Sequence, residues 1–271
     1  MGKSLKPDAI LKTDLEEFLA SESDFAFEMS VLSKLREIGF RCKHSGTYQD
    51  PVTKKIRQFD IRAEKINENR KLSLAVECKN LRPNFPLLIT AIPRTRGEGF
   101  HQIIVFRISH TTWTDIQTVT SPHSLYIPGE MVGKSTNQVG RAESKSELVS
   151  DDGAAFDKIN QAVNSAEDLV SDSLASNSPE VHRVVVPVLV IPTDVLWQID
   201  YDYDGRVVHP VHQVQETTLF IDHAWSALLG VQGWKSYRMS HLHIVTIDSL
   251  KAVTEAWTGA EGFFRTCFSR T

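Results

Sequence analysis

The alternation of apolar and polar positions along the chain predicts its elements before any chemistry is considered. From residue 24 to 38 apolar positions recur at helical spacing, with Ser23 or Asp24 placed to cap the start and Gly39 to stop the helix. Three strand-like runs follow, from Phe40 to Tyr48, Ile56 to Glu64 and Leu72 to Lys79. Asp50-Pro51 marks the first turn and the polar run KINENRK the second.

Residues 80–150 carry five prolines (83, 86, 93, 122 and 128), one good strand from Ile103 to Ile108, and a polar stretch from Gly133 to Asp152. They read as an insertion with a mobile segment. A second helix is expected over 154–174, where Phe156, Ile159, Val163, Ala166 and Val170 form an apolar stripe. The unbroken apolar run from Val184 to Ile191 predicts a buried strand. A hairpin is expected next, with arms at 195–201 and 207–214 and its turn at Asp204-Gly205. A strand over 241–247 and a helix over 249–257 close the chain. No internal repeat is visible. The organisation is a lead-in over 1–22, a core over 23–192 interrupted at about 80–150, and a β-rich C-terminal extension over 193–271. Without the insertion, the order from 24 to 191 is α, β, β, β, α, β.

Two of these strands carry the chemistry. In QFDIRAEK, Gln58, Asp60, Arg62 and Glu64 share one face; in LSLAVECKN, Ala75, Glu77 and Lys79 share one face. The short connection between the strands favours antiparallel pairing, which sets Asp60 across from Glu77. Two carboxylates at this spacing suit Mg²⁺, a hard ion that takes oxygen ligands and keeps several waters. A lysine beside them suits the charge that develops on a phosphoryl group. The competing reading is a surface ion pair involving Glu77. Glu28 shares a helix face with Val31, Leu32 and Leu35, so it needs a partner or a metal, or else a route to solvent. That helix is expected to cover the sheet face carrying Asp60 and Glu77.

Glu28 on a first helix, Asp60 on a strand, and Glu77-Cys78-Lys79 on the next resemble the PD-(D/E)XK, or restriction-endonuclease-like, nuclease superfamily. Phe59 stands where the name of the superfamily has proline, and the gap before the second helix is long. The resemblance implies an α/β fold with an αβββαβ core and a mixed central sheet. It implies divalent-metal hydrolysis of phosphodiesters, with Asp60, Glu77 and Glu28 as metal-binding acids and Lys79 as the catalytic lysine. Gln161 on the second helix is the accessory residue it suggests. Mg²⁺ is the implied cofactor, with Mn²⁺ as a substitute, and DNA the expected substrate. The alternative is a protein that keeps the nuclease fold without catalysis and serves as a nucleic-acid-binding or scaffold subunit.

Composition changes this picture in one respect. The net charge of −4 argues against a general nucleic-acid binder. Residues 1–110, however, hold 19 Lys and Arg against 14 Asp and Glu, whereas the remainder holds 11 against 20. Lys54, Lys55 and Arg57, with Arg82, Arg94 and Arg96, are the candidate backbone-binding cations; a solvated basic face is the rival reading. Cys42, Cys78 and Cys267 form no disulfide framework or zinc pattern, and no apolar leader or membrane span is visible, so a cytoplasmic protein is expected. A homodimer is compatible with the sequence.

Three further signals are too weak to carry a function. PGEMVGKST at 128–136 misses the phosphate-loop spacing by placing Pro128 where glycine is required. DYDYDG at 200–205 opens like a calcium loop but has Val211 at the twelfth position, and it fits a hairpin turn better. His209, His212, His223, His241 and His243 lack zinc-site spacing and read as hydrogen-bonding side chains.

Overall fold

A computed structural model describes residues 8–21, 23–107, 113–142, 147–151, 153–175, 182–228 and 234–259. Cys267 and the whole of 108–112 and 143–146 lie outside them, including Ile108, the last residue of the strand expected from Ile103. The helices are α1 (Lys12–Ser21), α2 (Phe25–Glu37), α3 (Gly153–Ala175) and α4 (Leu250–Thr258). The strands of the first part are β1 (Arg41–His44), β2 (Thr47–Gln49), β3 (Ile56–Gln58), β4 (Ile61–Asn67) and β5 (Arg70–Cys78). The middle holds β6 (Leu87–Pro93), β7 (Phe100–Arg107), β8 (Trp113–Thr120), β9 (Met131–Arg141) and β10 (Leu148–Ser150). The last are β11 (His182–Ile191), β12 (Leu196–Tyr201), β13 (Val207–Gln213), β14 (Glu216–Leu228) and β15 (Trp234–Thr246).

The protein is α/β, with one large mixed sheet in the order β1-β4-β5-β11-β15-β14-β9-β6-β12-β13. Strands β1, β4 and β5 are antiparallel neighbours, and β11 runs parallel to both β5 and β15. A parallel strand covered on both faces should be apolar, and β11 is so from Val184 to Ile191, after His182 and Arg183 at its start. Its side chains divide by parity. Val184, Val186, Val188 and Val190 join Val31, Leu32 and Leu35 of α2 and Leu250, Val253 and Trp257 of α4. Leu189 and Ile191 meet Ala155, Ile159, Ala162 and Val163 of α3 on the other face, and Val185 meets Ala166, Leu169 and Val170. Strand β5 follows the same rule: Leu72, Leu74, Val76 and Cys78 face α2, while Ala75 lies under α3.

This parity corrects one expectation. Helix α2 covers the sheet face opposite Glu77, and α3 is the helix over the carboxylate. The 80–150 stretch, expected to be an insertion with a mobile segment, shows more regular structure than that among its described residues. It is largely strand, and β6 and β9 extend the main sheet. Glycines and polar residues in β9 read as chain breakers in the sequence. In the fold Gly133 lets β9 approach β6: a Cβ there would stand 2.7 Å from the Ile89 side chain. The predicted hairpin forms as β12 and β13, with Gly205 at φ +80° in its turn. The C-terminal strands are not an appendage on the core. The long β14–β15 hairpin lies between β11 and β9 within the same sheet. Among the described residues, no helix is long and apolar enough to cross a membrane.

Candidate active site

The site forms where β4 begins and β5 ends. The antiparallel register pairs Ile61 with Val76, which brings Asp60, one residue earlier, beside Glu77. The backbone N–H of Asp60 donates to Glu77 Oε1 at 3.4 Å, and the N–H of Cys78 donates to Asp60 Oδ2 at 2.8 Å. Asp60 is 7% exposed and Glu77 is fully buried. Two buried carboxylates this close must share a proton or be met by a cation. Lys158 of α3 supplies it, 2.7 Å from Asp60 Oδ2 and 3.2 Å from Glu77 Oε2. Burial and the charge of Asp60 push the Glu77 carboxyl well above its ordinary range, and Lys158 opposes the shift. Burial works against the Lys158 ammonium, but Glu77 and Asp60 outweigh it and raise its pKa.

Sequence reasoning assigned the cation to Lys79, and the structure places it elsewhere. Strand β5 ends at Cys78, so side-chain alternation stops there. The Lys79 N–H donates to Val190 O, and its ammonium bonds Asp24 at 3.0 Å. Asp24 also accepts from the N–H of Asn80 at 2.9 Å. Asp24, one of the two residues expected to cap α2, therefore fastens the chain after β5 to the start of that helix and makes no side-chain cap bond, while Ser23 Oγ accepts from the Phe25 N–H at 3.2 Å. Lys158 was missed, although a signal existed. It lies on α3 between the buried Ala155 and Ala162 and beside the buried Ile159, so it posed the same question of a buried charge that drew attention to Glu28.

Glu28 is near the pair but reaches it from the α2 side. Its carboxylate accepts from or donates to His44 Nε2 at 3.2 Å, according to their protonation. Burial, then repulsion from Asp60, raise its pKa, while His44 and Lys158 pull it down. His44 is the second residue that sequence reasoning missed. It sits opposite Ile61 at the end of β1, which aims it at α2. Gln161, three residues beyond Lys158, donates to the Gln58 carbonyl at 2.7 Å. It thus secures the backbone two residues before Asp60 and does not bond either carboxylate.

The candidate backbone-binding cations divide. Lys54, Lys55 and Arg57 are exposed on the β2–β3 hairpin, with Arg57 3.9 Å from Asp50. Arg82 and Arg96 are exposed beyond β5 and β6. Arg94 is not a surface cation. It is 3% exposed, and donates to His241, Ile127 O, Glu130 and Thr218. The C-terminal histidines are structural in the same way: His241 stacks on Tyr126 with centroids 3.7 Å apart, and His243 Nε2 lies 3.1 Å from the Tyr126 hydroxyl. Lys134 of the near-phosphate-loop sequence lies in β9 and pairs with Glu98 at 2.6 Å.

No protein family, curated protein or solved structure matches the chain. The arrangement itself offers two carboxylates with oxygen acceptors at one point, an ammonium between them and a third acid nearby. Among the described residues no group of three or more acid, histidine or cysteine side chains converges closely enough to hold a metal ion by itself. Magnesium commonly takes only one or two protein carboxylates and completes its shell with water and substrate phosphate. The donor chemistry of Asp60 and Glu77 fits that requirement.

Proposed function

We propose that this chain is a divalent-metal-dependent nuclease that hydrolyses phosphodiester bonds, with DNA as the first substrate to test. One observation carries the reading: Asp60 and Glu77 meet at adjoining ends of paired strands with Lys158 bonded to both. The succession α2, β1, β4, β5, α3, β11 and the order β1-β4-β5-β11 agree with an αβββαβ, restriction-endonuclease-like core. Asp60 and Glu77 would hold Mg²⁺ or Mn²⁺, which when bound polarises a phosphoryl oxygen and lowers the pKa of a bound water. Lys158 then provides fixed positive charge at the scissile phosphate, the role first assigned to Lys79. Glu28, held by His44, adds negative charge behind Asp60.

The deciding experiment incubates the protein with plasmid and oligonucleotide DNA in Mg²⁺, in Mn²⁺ and in EDTA, beside Asp60→Asn and Glu77→Gln. Cleavage that needs metal and is lost in both variants supports the reading. Cleavage that continues in chelator, or in both variants, overturns it. A second reading, a nucleic-acid-binding subunit without catalysis, draws on the absence of a three-ligand group among the described residues. It predicts binding with no cleavage in any metal.

A further inference from the structure

We propose that two joined clefts along α3 hold unpaired bases of a single-stranded nucleic acid, with Phe156 as the stacking surface and Asn160 as a hydrogen-bonding group. This rests on the nuclease reading and names its substrate class. One cleft, of about 570 Å³, lies between the β2–β3 hairpin and α3; the other, of about 440 Å³, lies between α3 and β14. They share Asn160, Val163 and His223. Asp157 and Gln161 line the first, whereas Asp60, Glu77 and Lys158 line neither; the link to the pair is Gln161, whose amide donates to the Gln58 carbonyl two residues before Asp60.

The lining favours bases over paired strands. Phe156 was expected in the buried stripe of α3, but it is 55% exposed and faces the second cleft. A half-exposed ring on a cleft wall offers a face to a flat partner, and every nucleobase has one. Asn160 has no hydrogen-bond partner among the described residues and is exposed to both clefts, so its amide is free to meet a base edge. Among the described residues only two lysine or arginine side chains line the clefts, the half-exposed Arg57 and Lys134. Arg57 lies 3.9 Å from Asp50, and Lys134 is bonded to Glu98. The Asp50 carboxylate is itself satisfied by Val52, Thr53 and Asn164, which leaves Asp157 as the free anion of the wall. Duplex binding relies mainly on many phosphate contacts. A wall with three amides and an exposed ring offers stacking and edge contacts, which an unpaired strand presents and a paired one does not, and the half-exposed Arg57 is available to its backbone.

The test measures binding of the full chain to fluorescent 15-nucleotide oligo-dT, oligo-U and a mixed-sequence DNA duplex in EDTA, where metal-dependent cleavage is suppressed. Single strands should bind at least about tenfold tighter than the duplex, and Phe156→Ala should weaken single-strand binding about tenfold, as expected for one lost base stack. Phe156→Trp should restore it, and Asn160→Ala should weaken it further. The dT and U arms distinguish DNA from RNA. Because Trp225 lies 5.3 Å from His223, single strands should also quench tryptophan emission. Equal affinity for duplex, or parental single-strand affinity in a folded Phe156→Ala variant, overturns the inference. If the parent still cleaves with Mg²⁺ in that case, the nuclease reading stands alone. No binding to any oligonucleotide and no cleavage overturns both.

Discussion

The ammonium of Lys158 lies 3.2 Å from a Glu77 oxygen that has no access to solvent, so a helix 81 residues further along the chain neutralises the acid of β5. Removing that cation leaves buried acids facing one another. Lys158→Met should destabilise the metal-free protein by about 3 kcal/mol, near the lower end for breaking a buried pair because Glu77 can take up a proton. Millimolar Mn²⁺ should recover much of the loss, and cleavage should fall by roughly a hundredfold or more. Urea unfolding with and without Mn²⁺, and single-turnover cleavage, check these outcomes. A variant as stable as its parent in EDTA would remove the ion pair from this account.

Lys79 is expected to act on docking of α2 instead of chemistry. Its contact with Asp24 is partly exposed and screened, so Lys79→Ala should cost only about 1 kcal/mol. Asp24→Asn should cost a similar amount, and the double variant less than the two together, as for any shared contact. Cleavage by Lys79→Ala should stay within a few-fold of the parent. A hundredfold loss of turnover at unchanged stability would return the catalytic role to Lys79.

Glu28 carries a raised pKa, caused first by burial and then by Asp60, so its charge burdens the folded state at neutral pH. Glu28→Gln removes that charge and keeps an oxygen acceptor for His44. The expected result is a melting temperature equal to or above the parent's in EDTA, with weaker Mn²⁺ binding. Lower stability with unchanged Mn²⁺ affinity would make the Glu28–His44 contact purely structural.

His101, His241 and His243 are buried, and burial lowers their pKa values to about 3, 2 and 3. In the unfolded chain they take up protons near pH 6.5. Between that value and about pH 3 the unfolded state therefore binds more protons, and stability falls with acidification. The raised carboxyls of Glu28 and Glu77 act in the opposite sense as pH falls toward their unfolded range, so the histidine contribution is read from a difference. His243→Gln should flatten the dependence of unfolding free energy on pH between 6 and 4 by about 1.4 kcal/mol per pH unit, the value of one proton. An unchanged slope would mean that His243 is not held neutral by the fold.

Much of the site's frame was legible because it depends on local alternation and on one short connection. The alternating run of β4 and the apolar run of β5 fixed which residues share a face, and the brief turn between them made antiparallel pairing the simplest outcome. The strand expected over 56–64 is in fact broken into β3 and β4, and Asp60 lies in the break, so its meeting with Glu77 follows from the β4–β5 register one residue away and not from alternation within a strand. The hairpin of β12 and β13 and the helices α2, α3 and α4 were readable on similar grounds. Strands β6, β8, β9 and β14 were not: β6 ends in Pro93 and β9 holds Gly133 and Gly140, which resemble loop composition, while β8 and β14 are rich in polar residues. Only their neighbours explain their pairing, as where Gly133 admits the close approach of β9 to β6.

The sequence by itself determined the apolar strands, the two carboxylates they carry, and the helices that bury the sheet, since each follows from side-chain periodicity within a short span. Tertiary structure alone decided which cation completes the site. Lys79 and Lys158 are equally charged and both lie beside apolar segments, so local pattern does not separate them. The end of β5 at Cys78 turns Lys79 toward Asp24, and the parity of β5 places Glu77 under α3, where Lys158 reaches it. Side chains distant in sequence become partners through the face of the sheet each element covers, and that choice is made by packing of the whole molecule.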